Sequence, residues 1–247
     1  MEMNELRDEM VSMADRASTR DDRLKRVADQ KETLVKELHH RVKNNLQVII
    51  SLISLQARHV DTPEQRAPLD QIHARITAMA LVQRLVVEAD DNVLINVSVL
   101  LDELCALIRR TYVAESLRVQ LRFECDASQI PTDMATPLML FAFEAVTNAF
   151  RHGFKDQRPG HIVVQFSVDA KVQATLKISD TGTGWTETDQ HRGTGQKLLL
   201  AFARQLGGKL TLNSTTTNGP CVSVNFDAHS SGVATLLDPS LVLRGNV

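Results

Sequence analysis

Along the first forty residues, Leu6, Met10, Met13, Ala17, Arg20, Leu24, Val27, Lys31, Leu34 and Leu38 are separated by alternating steps of four and three. That spacing is the seam of a coiled coil, interrupted by the polar Arg20 and Lys31, and it asks for a partner helix. A cap-like run, Ser18-Thr19-Arg20-Asp21, is where the segment could break in two. Beyond Leu38 the stripe continues through Val42, Leu46, Ile49 and Ile53, but two steps of four fall together around residues 34 to 42. Such a stutter alters the supercoil locally. Asp61-Thr62-Pro63 and Pro68 mark a turn region, after which Leu69, Ile72, Ile76, Met79, Val82 and Val86 resume a helical period. Two amphipathic helices joined by a short link predict an antiparallel hairpin, which encloses too little apolar surface alone. Pairing of two copies into a four-helix bundle is the expected solution.

The texture changes at the polar stretch Ala89-Asp90-Asp91-Asn92, where strands and helices begin to alternate. A helix is predicted over Leu100 to Arg110, a strand over Arg118 to Glu124, and a helix over Pro137 to Phe154. Two strands with strict alternation follow: Ile162, Val164, Phe166 and Val168, then Val172, Ala174, Leu176 and Ile178, turning at Asp169-Ala170-Lys171. A helix over Lys197 to Leu206 ends at Gly207-Gly208, and a last hairpin runs from Leu210 to Ser214 and Val222 to Phe226 around Asn218-Gly219. The fold class is α+β: a dimerising helical hairpin followed by a domain of mixed helices and strands. The expected organisation is an amino-terminal signalling helix (1–26), the hairpin (27–90), a mixed domain (91–228) and a tail of unassigned role (229–247).

Composition narrows this only a little. At 247 residues and 43% hydrophobic content the chain can bury a real core. A net charge of -2, from 28 basic and 30 acidic residues, gives no reason to propose nucleic acid as a partner. Cys105, Cys125 and Cys221 are widely spaced and read as reduced core residues, with neither a disulfide framework nor a zinc site. The amino terminus is polar and acidic, and no window holds the roughly 18 apolar residues of a membrane helix. A soluble, cytoplasmic protein without membrane insertion is expected.

Candidate chemistry begins in the run His39-His40-Arg41-Val42-Lys43-Asn44-Asn45-Leu46-Gln47. On a helical wheel centred on Val42, His39 lies about 60° from the apolar stripe and His40 about 160° away. His40 therefore faces outward among Lys36, Glu37, Lys43, Asn44 and Gln47, reachable by another domain, while His39 suits a structural role. In the helix ending near Phe154, Glu144, Asn148 and Arg151 fall within about 60° of one another, opposite an apolar face of Met139, Ala142, Phe143, Val146 and Phe150. A carboxylate, an amide oxygen and a guanidinium on one line suit a magnesium nucleotide. Asp180 keeps the parity of the apolar set in its strand, so its carboxylate points inward and needs a donor, such as an adenine amino group. Asp180-Thr181-Gly182-Thr183-Gly184 supplies glycines where a base could approach the backbone, and Gly193-Thr194-Gly195 opens a helix whose free amides can receive phosphate.

Together these motifs resemble a known family across about residues 27 to 227. Glu37-Leu38-His39-His40-Arg41-Val42-Lys43-Asn44-Asn45-Leu46-Gln47 looks like the histidine box of the HWE-like sensor histidine kinases. The second half resembles the GHKL-type ATPase domain shared by gyrase, a heat-shock chaperone, histidine kinases and MutL, which implies an α/β sandwich that binds ATP. The resemblance makes His40 the phosphoacceptor and places Glu144 beside the chemistry. It assigns ATP binding to Asn148, Arg151, His152, Asp180, Gly182, Gly184, Gly193 and Gly195, with Asn148 also serving magnesium. The short stretch between Gly184 and Gly193 lacks a phenylalanine box, which fits the HWE-like group, whereas Pro220 stands after Gly219 where the family often has a hydroxyl.

The expected function is ATP-dependent phosphorylation of His40, with magnesium, followed by transfer to an aspartate of a response-regulator receiver domain. An imidazole with its ordinary pKa of about 6.5 is mostly neutral near pH 7, so Glu144 would orient rather than abstract a proton. The hairpin's need for a second copy makes a homodimer the expected assembly. With no sensor domain legible, the seam of residues 3 to 38 is the visible input route, open to a separate sensor. Two alternatives stand beside this: a non-catalytic phosphotransfer scaffold, or a GHKL-type serine kinase or ATPase.

Overall fold

The computed structural model describes residues 41–88, 94–113, 117–126, 128–154, 158–183, 194–215 and 219–228, with scattered helical positions from Arg23 to Leu38. The chain divides into two compact units, residues 1–45 and 46–247. In the first, the described residues are helical, and Glu37 and Arg41 form a bridge one turn apart at 2.6 Å. Leu34 and Leu38 of the predicted seam are exposed. The earlier seam positions Leu6 to Ala17, with Arg20, Leu24 and Val27, lie outside the described residues, as do His39 and His40.

Helix α1 is described over 41–58, and its partly or fully buried positions in the second unit are Leu46, Ile50, Ile53, Ser54 and Ala57, a helical stripe. Helix α2, Pro63–Glu88, starts because Thr62 caps it: its Oγ1 accepts the Gln65 N–H at 3.4 Å, and Pro63 takes the first helical position, where no amide is needed. Pro68, expected to belong to a turn, lies inside α2 on an exposed position. There the carbonyl that loses its intrahelical donor can turn to water. The buried stripe of α2 is Ala74, Ala78, Val82 and Leu85. Of the predicted stripe, Ile72 is 42% exposed, because the two alanines let α2 approach its neighbours closely along a different line.

Strand β1 (Leu94–Asn96) leads into helix α3 (Val97–Thr111), where Asn96 Oδ1 accepts the Ser98 N–H at 2.9 Å and Arg109 and Arg110 complement the carboxyl-terminal dipole. Then come β2 (Val119–Cys125), β3 (Gln129–Pro131) and helix α4 (Thr132–Asn148), which runs into a π-helical turn, Ala149–Gly153. Helix α4 begins at Thr132, ahead of the predicted Pro137, because Pro131 already sets an extended cap residue and Pro137 is accommodated within the helix. The remaining elements are β4 (Gly160–Val168), β5 (Gln173–Asp180), helix α5 (Thr194–Gln205), β6 (Lys209–Thr215) and β7 (Gly219–Asp227).

Five strands form one sheet in the order β2-β4-β5-β7-β6, with β2 and β4 parallel and the other pairs antiparallel; β1 and β3 make a separate pair. Register puts Leu121 beside Ile162, Val164 beside Ile178, Leu176 beside Val224 and Leu212 beside Val222, so one face is apolar. Helices α3, α4 and α5 pack on the sheet, and Phe141, Phe143, Phe166 and Phe226 are among the largest fully buried side chains of the core. Helix α2 packs in turn on α3 and α4. The β4–β5 turn is fixed by Asp169, whose Oδ1 accepts the Lys171 and Gln173 N–H groups, and it places Val172 at φ 60°. The three cysteines are free; Cys105 is buried, while Cys125 and Cys221 are half-buried.

Candidate functional site

Asp180 ends β5 on the apolar face, opposite Ile162, as its parity predicted, and is only 6% exposed. Burial raises its carboxyl from 3.8 to about 6; the Gly182 N–H, Arg158 and His161 oppose the rise. Oδ1 accepts the Gly182 N–H at 2.7 Å. A carboxylate offers about four acceptor positions, more than the Gly182 bond uses.

Glycines close in around it. A Cβ on Gly182 would stand 2.5 Å from the Gly153 carbonyl oxygen and 2.6 Å from Asp180 Oδ1, and one on Gly153 would stand 3.0 Å from the same Oδ1. Gly219, at φ 68°, comes so near that a Cβ there would strike the Asp180 carbonyl oxygen. The Thr183 N–H donates to the Gly153 oxygen at 2.9 Å, tying the loop after β5 to the end of the π turn. Thr181 and His161 exchange bonds at 3.1 Å: the Thr181 N–H donates to the His161 oxygen, and its Oγ1 accepts the His161 N–H. The result is a cradle of bare backbone beside an inward carboxylate.

The π turn is itself a local departure of the kind that gathers at working sites. It buries Phe150, stacked on Tyr112 with ring centroids 5.6 Å apart, and sets the Arg151 guanidinium 6.0 Å over the Tyr112 ring. His152 is exposed. One turn earlier, Asn148 is half-buried, and a Cβ on Gly195 would meet its amide nitrogen at 2.8 Å and oxygen at 2.9 Å. The first turn of α5, which begins at Thr194, therefore lies against Asn148, a proximity that the glycine motif did not foretell. Gly184 and Gly193 lie outside the described residues.

Glu144 departs from its expected place on a presented helix face. It is 2% exposed and covered by α2, where Arg75 Nη2 donates to Oε2 at 2.9 Å and Arg75 Nε donates to Oε1. A wheel orders positions around one helix and carries no information about a helix that arrives from elsewhere. The structure thus brings Asp180, Gly182, Asn148, Gly195 and the π turn into one region, and adds Arg75, Gly153 and Gly160, which the motifs did not reveal. Gly160 lies beneath Phe154 and Thr181. Among the described residues no group of three or more His, Cys, Asp and Glu stands together to hold a metal. No described helix is long and apolar enough to cross a membrane.

Residues 37–112 match the family described as "Histidine kinase", and residues 106–215 match "Histidine kinase-like ATPase domain". The sensor histidine kinase PdtaS of Mycolicibacterium smegmatis is 31% identical over 191 residues, 76% of this chain and 34% of its own. Blue-light-activated histidine kinase 2 of Erythrobacter litoralis is 25% identical over 209 residues, 81% of this chain and 58% of its own. The chain thus spans about a third to just over half of these relatives. Among solved structures, a blue-light activated histidine kinase of Erythrobacter litoralis superposes with a TM-score of 0.61 at 19% identity, covering 78% of this chain and 59% of that one.

Proposed function

The chain belongs to the histidine kinases, with an HWE-like histidine box and a GHKL-type ATPase domain, and from that premise we propose that it transfers the γ-phosphoryl group of ATP to His40. The observation that carries this reading is the cradle at Asp180: a buried carboxylate beside Gly153, Gly182 and Gly219, where side chains would fill the space. Asp180 accepts the adenine amino group, and the glycines let the base lie against backbone. Asn148, Arg151, His152 and the start of α5 with Gly193 and Gly195 receive the phosphates, and Gly184 continues the adenine side. Glu144, its two oxygens committed to Arg75, orients α4 and does not abstract a proton.

A magnesium ion bound with the nucleotide, on the Asn148 side, would neutralise charge on the phosphate oxygens. The amide oxygen of Asn148 is a hard donor of the kind magnesium takes, and phosphate oxygens and water would supply its other ligands. A lone pair of the neutral His40 imidazole forms the N–P bond while the bond from the γ-phosphorus to the bridging oxygen breaks; ADP leaves with that electron pair, and the second ring nitrogen can release its proton to water. In the second step a receiver-domain aspartate oxygen attacks the phosphorus, the N–P bond breaks with its electron pair returning to the ring nitrogen, and a proton from water restores the neutral imidazole.

Val48, Ile49, Leu52 and Leu55 of α1 and Ile72 and Val87 of α2 are exposed in the single chain, which supports a homodimer built on these helices. The amino-terminal seam is the input route for a separate sensor. Incubation with γ-labelled ATP and magnesium tests the reaction class. Phosphate on the protein that is lost in acid and kept in base marks phosphohistidine; acid-stable label would replace this reading with a serine kinase, and ATP hydrolysis without label with a plain ATPase.

A further inference from the structure

Arg75 lies within the segment matched as histidine kinase, outside the ATPase match of residues 106–215, yet its guanidinium grips a residue of the ATPase helix α4. The grip is two-pronged, Nε to Oε1 and Nη2 to Oε2, and engages both oxygens of a side chain that is only 2% exposed. Ala74 and Ala78, both buried on the same helix, bring α2 close enough for it. Glu144 stands one helical turn before Asn148, and Asn148 in turn supports Gly195 at the start of α5. From Arg75 to the proposed phosphate site there is thus a short succession of contacts: guanidinium, carboxylate, one turn of helix, amide, helix start.

An ion pair in this position is a poor choice for stability alone. Buried pairs gain little over apolar residues of similar size, because desolvation offsets their attraction, and their better attested use is to fix a register. A planar fork on a carboxylate fixes two atoms at once, so it sets the position of α2 along and around α4, which a sliding apolar contact would leave looser.

We infer that Arg75 is a positioning residue of the nucleotide site: through Glu144 it sets the turn of α4 that carries Asn148, so the phosphate end of the site is completed by the hairpin helix α2. This rests on reading Asn148 as a phosphate-side residue and Asp180 as the adenine-side residue. A shift of α2 then changes phosphate binding while leaving base binding in place, giving the hairpin a direct hold on the ATP site.

The test measures binding to the full chain, by calorimetry, of MgATP and of AMP, which carries the base without the β- and γ-phosphates. Wild type is set beside Arg75→Lys, Arg75→Met and the paired Arg75→Met/Glu144→Met, which removes the ion pair without stranding a buried charge. The expected result is a paired variant that melts cooperatively, binds AMP within about twofold of wild type, and binds MgATP at least tenfold more weakly, with Arg75→Lys in between because an ammonium cannot reproduce the fork. A paired variant that binds both nucleotides as wild type does would make the pair purely structural and overturn the inference; so would a parallel loss of AMP and MgATP binding. If wild type itself binds neither nucleotide, the reading of the site fails and the role of Arg75 falls with it.

Discussion

Replacing Asp180 with asparagine should stabilise the protein while disabling its nucleotide site. The carboxyl is raised from 3.8 to about 6, chiefly by burial, so above pH 6 the fold holds an ionised group where it is poorly solvated. At 1.36 kcal/mol per pKa unit, that costs roughly 3 kcal/mol at pH 7.5. The folded state binds the proton more tightly than the unfolded chain. The stability of the neutral form is therefore complete below about pH 3.8 and is lost as pH rises through 6. An amide is neutral at every pH and can still accept the Gly182 N–H through its oxygen. Asp180→Asn should therefore melt about 6–12 °C above wild type at pH 7.5, taking about 2–4 °C per kcal/mol for a chain of this size. The gap should shrink as pH falls through 6 and vanish below about 4. Added MgATP should raise the wild-type melting temperature and leave the variant's unchanged, since the amide nitrogen would confront the adenine amino group donor to donor. Thermal melts followed by circular dichroism between pH 4 and 8 supply the data. A variant less stable than wild type at pH 7.5, or a gap independent of pH, would refute the burial argument.

Three further outcomes follow from particular contacts. Gly182→Ala drives a methyl group against the Gly153 oxygen and Asp180 Oδ1, so MgATP affinity should fall at least tenfold in calorimetry, with a melting temperature a few degrees lower. Leu52→Glu combined with Leu55→Glu charges the exposed apolar side of α1; sedimentation equilibrium should show a dimer for wild type, as proposed, and a monomer for the variant, at little cost to the isolated fold because both positions are at least 50% exposed. Disulfide locks placed at successive positions of the amino-terminal seam should give kinase activity that depends on register, and uniform activity across the set would remove that segment as an input route.

What the sequence revealed depended on how rigid each pattern is. Strand alternation has a period of two, so one inward residue fixes its neighbours; β4 and β5 lie close to their predicted limits, and Asp180 faces the apolar layer as parity required. Helical stripes are broader. On α2 the predicted line through Ile72 favoured large apolar residues, whereas the buried line runs through Ala74 and Ala78, whose small size is what permits close packing. Glu144 was legible as part of a motif, but its burial was not, because its partner Arg75 lies 69 residues earlier and nothing in local spacing joins them. Gly153 and Gly160 were equally silent: each is required by a neighbour brought in from another strand or turn.

The most direct test of the central claim is the position of the label. Wild type, His40→Ala and His39→Ala are incubated with γ-labelled ATP and magnesium, and acid-labile phosphate on the chain is counted. Phosphotransfer to His40 predicts full label in wild type, strong label in His39→Ala and none in His40→Ala, with MgATP binding intact in all three. Label that persists in His40→Ala would contradict it.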